Sequence, residues 1–166
     1  MNHYFCKCHY WLLRITTLFL ICGSVYYLME LVWDGSSHFS MFILAGLCSV
    51  FFIDSLNNIY SMDMDYLLQV GISTILCTLA EGITGLIVNM HFGLNVWDYS
   101  SLPFNFFYGQ CCLHFVFLWI LIIGLLGIPV CDAINYYAFG IDPCPYYKIG
   151  GKTIFRFKEL KGKENE

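Results

Sequence analysis

The chain has 166 residues, of which 58% are hydrophobic, 19% aromatic and only 12% charged, and its formal net charge is −4. Soluble domains carry about 25% charged residues, and a chain this short leaves much of its surface exposed. Together with a mean hydropathy of +0.65, this excludes a water-soluble domain and calls for lipid as the outer cover.

The length gives one domain. The basic residues are Lys7, Arg14, Lys148, Lys152, Arg156, Lys158, Lys161 and Lys163, with none between positions 14 and 148. Nucleic-acid binding needs a basic stripe to neutralise phosphates, so that class is excluded too. The nine cysteines do not read as a disulfide framework. Their number is odd, and Cys22, Cys48, Cys77, Cys111, Cys112 and Cys131 lie in or beside apolar runs, where Cys serves as a small packing residue.

In chain order, residues 1–11 form a short N-terminal segment. Its Cys6, Cys8 and His9, with His3, could bind a metal, but Cys-x-Cys-His is not a standard structural zinc spacing, and no metal ligand is assigned. A spanning helix needs roughly 20 apolar residues. Four segments qualify or come close: 12–33, 39–60, 66–90 and 111–130, the last with a continuation towards Tyr137. The second is the weakest, because its fully apolar part ends at Ile53, before Asp54. The first is too long for a cleavable signal, carries Glu30 and lacks a small-residue cleavage site. Residues 138–166 form a polar tail, basic enough in its first part to lie on anionic headgroups and disordered at its end.

Basic residues confined to the two ends place both termini in the cytoplasm by the positive-inside rule, which requires an even number of spans. The loops 34–38 and 91–110 then lie outside, and the connection 57–65 inside. Aromatic residues at span ends, such as Trp33, Trp97, Tyr99, Tyr136 and Tyr137, suit headgroup depth. The expected fold is all-α: an integral membrane bundle of four transmembrane helices in residues 12–137. A faint repeat relates Glu30, Trp33-Asp34-Gly35-Ser36-Ser37, Gly46 and Cys48 to Glu81, Trp97-Asp98-Tyr99-Ser100-Ser101, Gly109 and Cys111. It would make the bundle a parallel repeat of two helical hairpins.

The third span is the most informative. Gly71, Thr74, Thr78, Glu81, Gly85 and Asn89 recur at steps of three and four and share one helix face, while Ile75, Leu79, Ile83 and Leu86 face the other way. Small and hydroxyl residues let membrane helices approach closely. Glu81 needs more, because a carboxylate inside a span costs at least ~2–3 kcal/mol. Either it marks an ion or substrate path, or it is a protonated acid bridging helices. Glu30 lies near the outer end of the first span, where a carboxylate is cheap. Asp34 and Asp98 add negative charge to the outer loops, and such a mouth could concentrate cations.

The outer loop around Trp97–Asn105 is rich in turn and capping residues. Asp98, Ser100 or Ser101 could cap a short helix that Pro103 starts. So aromatic a loop lies on the membrane surface or re-enters it. In the fourth span, Gly124, Gly127 and Pro129 predict a kink. Gly150-Gly151-Lys152-Thr153 imitates the end of a phosphate-binding loop, but Tyr146 stands where the motif needs Gly. No nucleophile–base pair stands out, no enzyme is expected and no cofactor is implied.

Glu81-Gly82-Ile83-Thr84-Gly85, Asn89, Trp97-Asp98-Tyr99-Ser100, Pro103-Phe104-Asn105 and Gly109-Gln110-Cys111 resemble the ABC-transporter type IV permease family of small bacterial membrane proteins. Tyr26-Tyr27, Glu30, Ser37-His38 to Met41 and Gly46-Leu47-Cys48 extend the resemblance over roughly residues 20 to 140. The chain departs from the family pattern at Ala45, at Asp34 and in the spacing from Asn105 to Gly109. The resemblance implies a permease-like component of the cell membrane, with Thr84, Gly85, Trp97, Tyr99, Ser100, Pro103 and Gly109 as motif residues. Glu81, Glu30, Asp98 and Asn105 are the candidates for a substrate or ion path. Because no ATPase domain is present, any ATP-driven role needs a separate ATPase subunit or another membrane partner besides the lipid bilayer. The alternative is a non-transporting scaffold, sensor or assembly partner.

Overall fold

The computed structural model describes residues 2–56, 64–141 and 143–160, with side chains described from residue 10 onward. The metal-ligand candidates Cys6, Cys8 and His9, most of the connection 57–65, the last residues of the expected second span and the end of the tail therefore lie outside the described residues or side chains.

Four apolar helices pack side by side. Helix α1 is Asn2–Asp34. Gly35 ends it with φ +74°, a left-handed conformation that glycine adopts without a Cβ clash. Helix α2 is Phe39–Asp54, opened by His38, whose Nδ1 accepts from the Ser40 N–H at 3.2 Å. Helix α3 is Tyr66–His91, opened by Asp65, whose Oδ1 accepts from the Leu67 N–H at 3.0 Å. Helix α4 is Leu113–Ala138. Such caps supply partners for amides that the first helical turn leaves unbonded.

Three helical stretches, Tyr10–Asp34, Tyr66–His91 and Leu113–Ala138, are long and apolar enough to cross a membrane. Helix α2, at 1.5 Å per residue, covers only about 24 Å over its described length. The outward faces carry large apolar side chains with no protein cover, among them Leu20 and Leu28 on α1, Ile75 and Ile83 on α3, and Leu121 and Leu125 on α4. The core beneath is built from Leu18, Leu44, Ile53, Val70, Trp119 and Ile123. Where α1 crosses α2, glycines set the distance. A Cβ on Gly46 would meet the Phe19 ring at 2.6 Å, and one on Gly23 would meet the Phe42 carbonyl oxygen at 2.8 Å. This is the small-residue contact on which membrane helices rely.

Helices α2, α3 and α4 each contain wide, π-type turns: Ser49–Asp54, Leu86–His91, Ile123–Gly127 and Ile134–Ala138. The π-type stretch Ile123–Gly127 falls where Gly124, Gly127 and Pro129 predict a kink. The Ile128 N–H bonds back five residues to Ile123, directly before Pro129, which has no N–H to donate.

Two expectations are corrected. The chain is mostly helical but not all-α. Strand β1 (Asn105–Phe106) pairs antiparallel with β2 (Cys111–Cys112), so α4 starts at Leu113, after two residues that the sequence reading gives to the span. Strand β3 (Tyr146–Ile149) pairs antiparallel with β4 (Lys152–Arg156). Within the polar tail, residues 146–156 thus form a folded hairpin, and the end expected to be disordered lies outside the described residues. Gly150 and Gly151 turn it with φ +57° and +78°, the left-handed pair that a tight two-residue hairpin turn requires. The hairpin packs back on the helices. The Tyr147 hydroxyl donates to Asp132 Oδ2 at 2.8 Å, and the Gly150 N–H donates to Asp65 Oδ2 at 2.7 Å. The Tyr147 ring lies 4.4 Å from that of Tyr66, and burial pushes the Tyr147 phenol up, with the Asp132 charge adding to it.

The end carrying this hairpin is called the hairpin end, and the opposite one, with residues 35–38 and 92–112, the loop end. Of the positions matched in the faint repeat, Gly46 and Cys48 are helical, whereas Gly109 lies in a turn and Cys111 in a strand.

Candidate functional site

Helix α3 turns its polar stripe inward. Ser73, Thr74, Thr78, Glu81 and Asn89 are all buried, while Ile75, Leu79 and Ile83 are exposed on the opposite side. Glu81 is 3% exposed, and its Oε2 accepts from the Trp119 indole N–H of α4 at 2.8 Å. Trp119 is held flat by Tyr26 of α1, stacked at 5.2 Å and 5°. Three helices therefore meet at Glu81.

Toward the loop end, Glu30 is half-buried and accepts from Ser37 Oγ at 2.5 Å. Tyr99, stacked 4.3 Å from Phe115, looks onto both carboxylates. Burial raises its phenol above the ordinary value, and the charges of Glu81 and then Glu30 raise it further. Cys111 donates to the Thr78 carbonyl at 3.5 Å, and burial, with Glu81 nearby, pushes its thiol up to about 12. Glu81, Glu30 and Tyr99 thus form one cluster of groups within electrostatic reach of one another, drawn from α1, α3 and the long loop.

Asp98 and Asn105 are not part of that cluster. Asp98 closes a turn, accepting from the Ser100 N–H at 2.8 Å and the Ser100 hydroxyl at 3.0 Å; it caps no helix, and Pro103 starts none. Asn105 is exposed and donates to the carbonyls of Leu102 at 2.7 Å and Ser100 at 3.2 Å. Both spend their hydrogen bonds inside the loop.

The motif residues build the loop's anchor. Asn89 Nδ2 donates to the Trp97 carbonyl at 2.8 Å and to Gln110 Oε1 at 2.7 Å, and Asn89 Oδ1 accepts from the Val96 N–H at 2.7 Å. The Trp97 indole donates to the Gln110 carbonyl at 3.0 Å, and the Tyr99 N–H donates to the Gly109 carbonyl at 2.7 Å. Gly109 needs to be glycine twice over. Its φ is +80°, and a Cβ there would sit 2.9 Å from the Ser100 backbone nitrogen. Gly85 gives Gln110 its place, since a Cβ on it would meet the Gln110 side chain at 2.6 Å. The Pro103 carbonyl accepts from Cys112 Sγ at 3.4 Å, and Thr84 is half-buried on α3.

The chain matches the model of the family described as "Putative ABC-transporter type IV" over residues 17–140. The chain belongs to this family. No curated protein and no solved structure matches it. The type IV region takes in Glu81, Glu30 and the whole loop anchor, and it leaves out Arg14 and the β3–β4 hairpin. Membership and the apolar helices together make this a membrane protein associated with ABC transport.

Sequence reasoning missed a second buried polar centre near the hairpin end. Arg14 Nη1 of α1 donates to Asp54 Oδ1 at 2.9 Å and to Asn135 Oδ1 at 3.0 Å, and Asn135 Nδ2 donates to Asp54 at 2.6 Å. The sequence reading takes Arg14 as a charge flanking the first span. The available signal was that Arg14 and Asp54 each interrupt an apolar run near the same end of adjacent helices. Two thiols, half-buried Cys22 and buried Cys131, also meet at 3.9 Å. Trp119 and Cys22 line an apolar cavity of about 50 Å³ with Tyr26, Cys48 and Ile123.

Proposed function

We propose that the chain is a permease-like component of an ABC-type transport system in the cell membrane, with Glu81 as its central polar group and no enzymatic chemistry of its own. On this reading α1 to α4 cross the bilayer four times, the short α2 shielded between its neighbours, with both termini and the hairpin end in the cytoplasm. The two helical pairs then run the same way across the membrane, each carrying a Trp-Asp-x-Ser element after its first helix. Energy would come from a separate ATPase subunit meeting the cytoplasmic hairpin end.

The observation that carries this reading is Glu81 itself. It sits almost fully buried in the middle of a 26-residue apolar helix and meets a neutral donor, Trp119, where a purely structural acid would be better served by a cation. Intramembrane carboxylates are costly and are kept mainly where ions or substrates pass. The second reading, a scaffold whose Glu81 only bridges helices, is favoured by the directness of the Trp119 contact.

Two substitutions separate the readings. Glu81→Gln keeps the shape and an acceptor for Trp119 but cannot ionise. In cells whose own copy is deleted, a permease role makes this variant insert and fold normally yet behave as the deletion does. A bridging role makes Glu81→Gln silent, while Glu81→Leu, which orphans the Trp119 N–H, lowers bundle stability by about 1–3 kcal/mol.

A further inference from the structure

Below Glu81, toward the hairpin end, three hydroxyls on the same helix have no hydrogen-bond partner in the protein: Ser73, Thr74 and Thr78. They are 0%, 3% and 7% exposed. A serine or threonine inside a helix ordinarily bonds back to the carbonyl of the preceding turn, and each buried orphan costs about 1–3 kcal/mol. At about 100° per residue, Thr74, Thr78 and Glu81 fall within a stripe of about 60°, and Ser73, next to Thr74 in the chain, lies about 80° round the helix from the stripe's nearer edge. Half-exposed Gln69 lies one turn further toward the hairpin end.

The stripe is long and thin. From Thr74 to Glu81 the rise is about 10 Å. One metal cation, with oxygen ligands at about 2.3–2.6 Å, could touch at most two of its levels. Water molecules, each needing two to four polar partners, can bridge such levels one after another, because the hydroxyls both donate and accept.

Charge points the same way. The titratable groups facing Glu81 are Glu30 and Tyr26 on α1, Tyr99 in the loop, Cys111 on β2, and Cys77 on α3 with Cys48 of α2 behind it. All are acids. Arg14 is committed to Asp54 and Asn135 at the hairpin end. Among the described residues none of these groups brings a positive charge to Glu81, and a proton taken up from water would neutralise it.

We infer that Glu81 exchanges protons with the hairpin-end side of the membrane through a water chain carried by Thr78, Thr74 and Ser73. Each carrier accepts one proton and passes one on. The net event is one proton taken from the aqueous phase and one O–H bond formed on the Glu81 carboxylate, and the reverse on release. This rests on the placement of Glu81 used for the permease reading and gives that site a substrate class, the proton.

The test uses the full-length protein in lipid nanodiscs, followed by infrared difference spectroscopy after a pH jump. The wild type should show a protonated-carboxyl band that shifts in D2O and is missing in Glu81→Gln. Thr78→Val and Thr74→Val keep the side-chain shape and remove a buried orphan, so both should fold. Each should keep the band but slow its appearance tenfold or more. A Glu81 band that ignores pH or D2O overturns the proposal, and so does a Thr78→Val, Thr74→Val, Ser73→Ala triple variant that protonates at the wild-type rate. Loss of the permease role is seen separately, as wild-type behaviour of Glu81→Gln in cells.

Discussion

Asp54→Ala should lower the stability of the folded bundle by about 3–5 kcal/mol, the cost of leaving a buried charge without its partner. Asp54 is 1% exposed and Arg14 8% exposed, and the carboxylate accepts from both Arg14 and Asn135. Removing it leaves the buried guanidinium, among the described residues, with the Asn135 side-chain carbonyl as its acceptor. Domains are held by about 5–15 kcal/mol in all, so most of the margin is at stake. Thermal unfolding of the purified protein in detergent, read by circular dichroism, measures this. The same physics sets a control. In Arg14→Leu/Asp54→Leu the charges vanish together, and desolvating an ion pair costs about as much as the pair returns. The double variant should therefore recover most of the loss. A loss in the double variant equal to the sum of the losses in Arg14→Leu and Asp54→Leu alone would show that Arg14 and Asp54 are not coupled.

Asn89→Ala should release the long loop at the other end. The one amide satisfies the Val96 N–H, the Trp97 carbonyl and Gln110 Oε1. Its loss leaves three buried or half-buried partners unpaired at about 1–3 kcal/mol each. Apart from the Trp97 and Tyr99 contacts and the Cys111–Thr78 hydrogen bond, the loop is held by a β1–β2 ladder only two residues long. The expected result is rapid protease cleavage within 92–110 and faster hydrogen exchange there, with the helical signal intact. Asn89→Asp keeps the acceptor for Val96 and loses both donated bonds, so it should fail in the same direction. A loop as resistant as in the wild type would mean that the Trp97 and Tyr99 contacts anchor it alone.

The helices were legible in the sequence because lipid leaves no alternative to them. Backbone groups inside a bilayer must bond within the segment, so an apolar run of sufficient length is a helix whatever its neighbours. The inward side of α3 was legible for a related reason: Glu81 and Asn89 cannot face hydrocarbon, and their spacing fixes which residues share their side. The partner of Glu81 was not legible, because Trp119 reads as one more apolar residue in a run, and only the packing of α4 on α3 turns its N–H toward the carboxylate. Asp98 and Asn105 read as path candidates because the charge of the one, the polarity of the other and their loop positions are visible in the sequence. Their turn hydrogen bonds are settled by backbone geometry that composition does not carry.

The β3–β4 hairpin was in plain view. Tyr146-Tyr147-Lys148-Ile149, two glycines, then Lys152-Thr153-Ile154-Phe155-Arg156 is a hairpin pattern of β-branched and aromatic residues about a tight turn. Weighing the glycines against a phosphate loop, and the lysines against headgroups, hid it.

The most direct measurement of the four-span membrane arrangement is the sidedness of its three accessible points. Reporter domains fused after Ser37, after Tyr60 and after Lys158, in the full-length protein up to each fusion, report outside or cytoplasm. Basic residues held to the two ends and four crossings together put Ser37 outside and both Tyr60 and Lys158 in the cytoplasm. A cytoplasmic signal after Ser37, or an outside signal after Lys158, would contradict it. An outside signal after Tyr60 would show that α2 does not cross, leaving three spans and an odd topology.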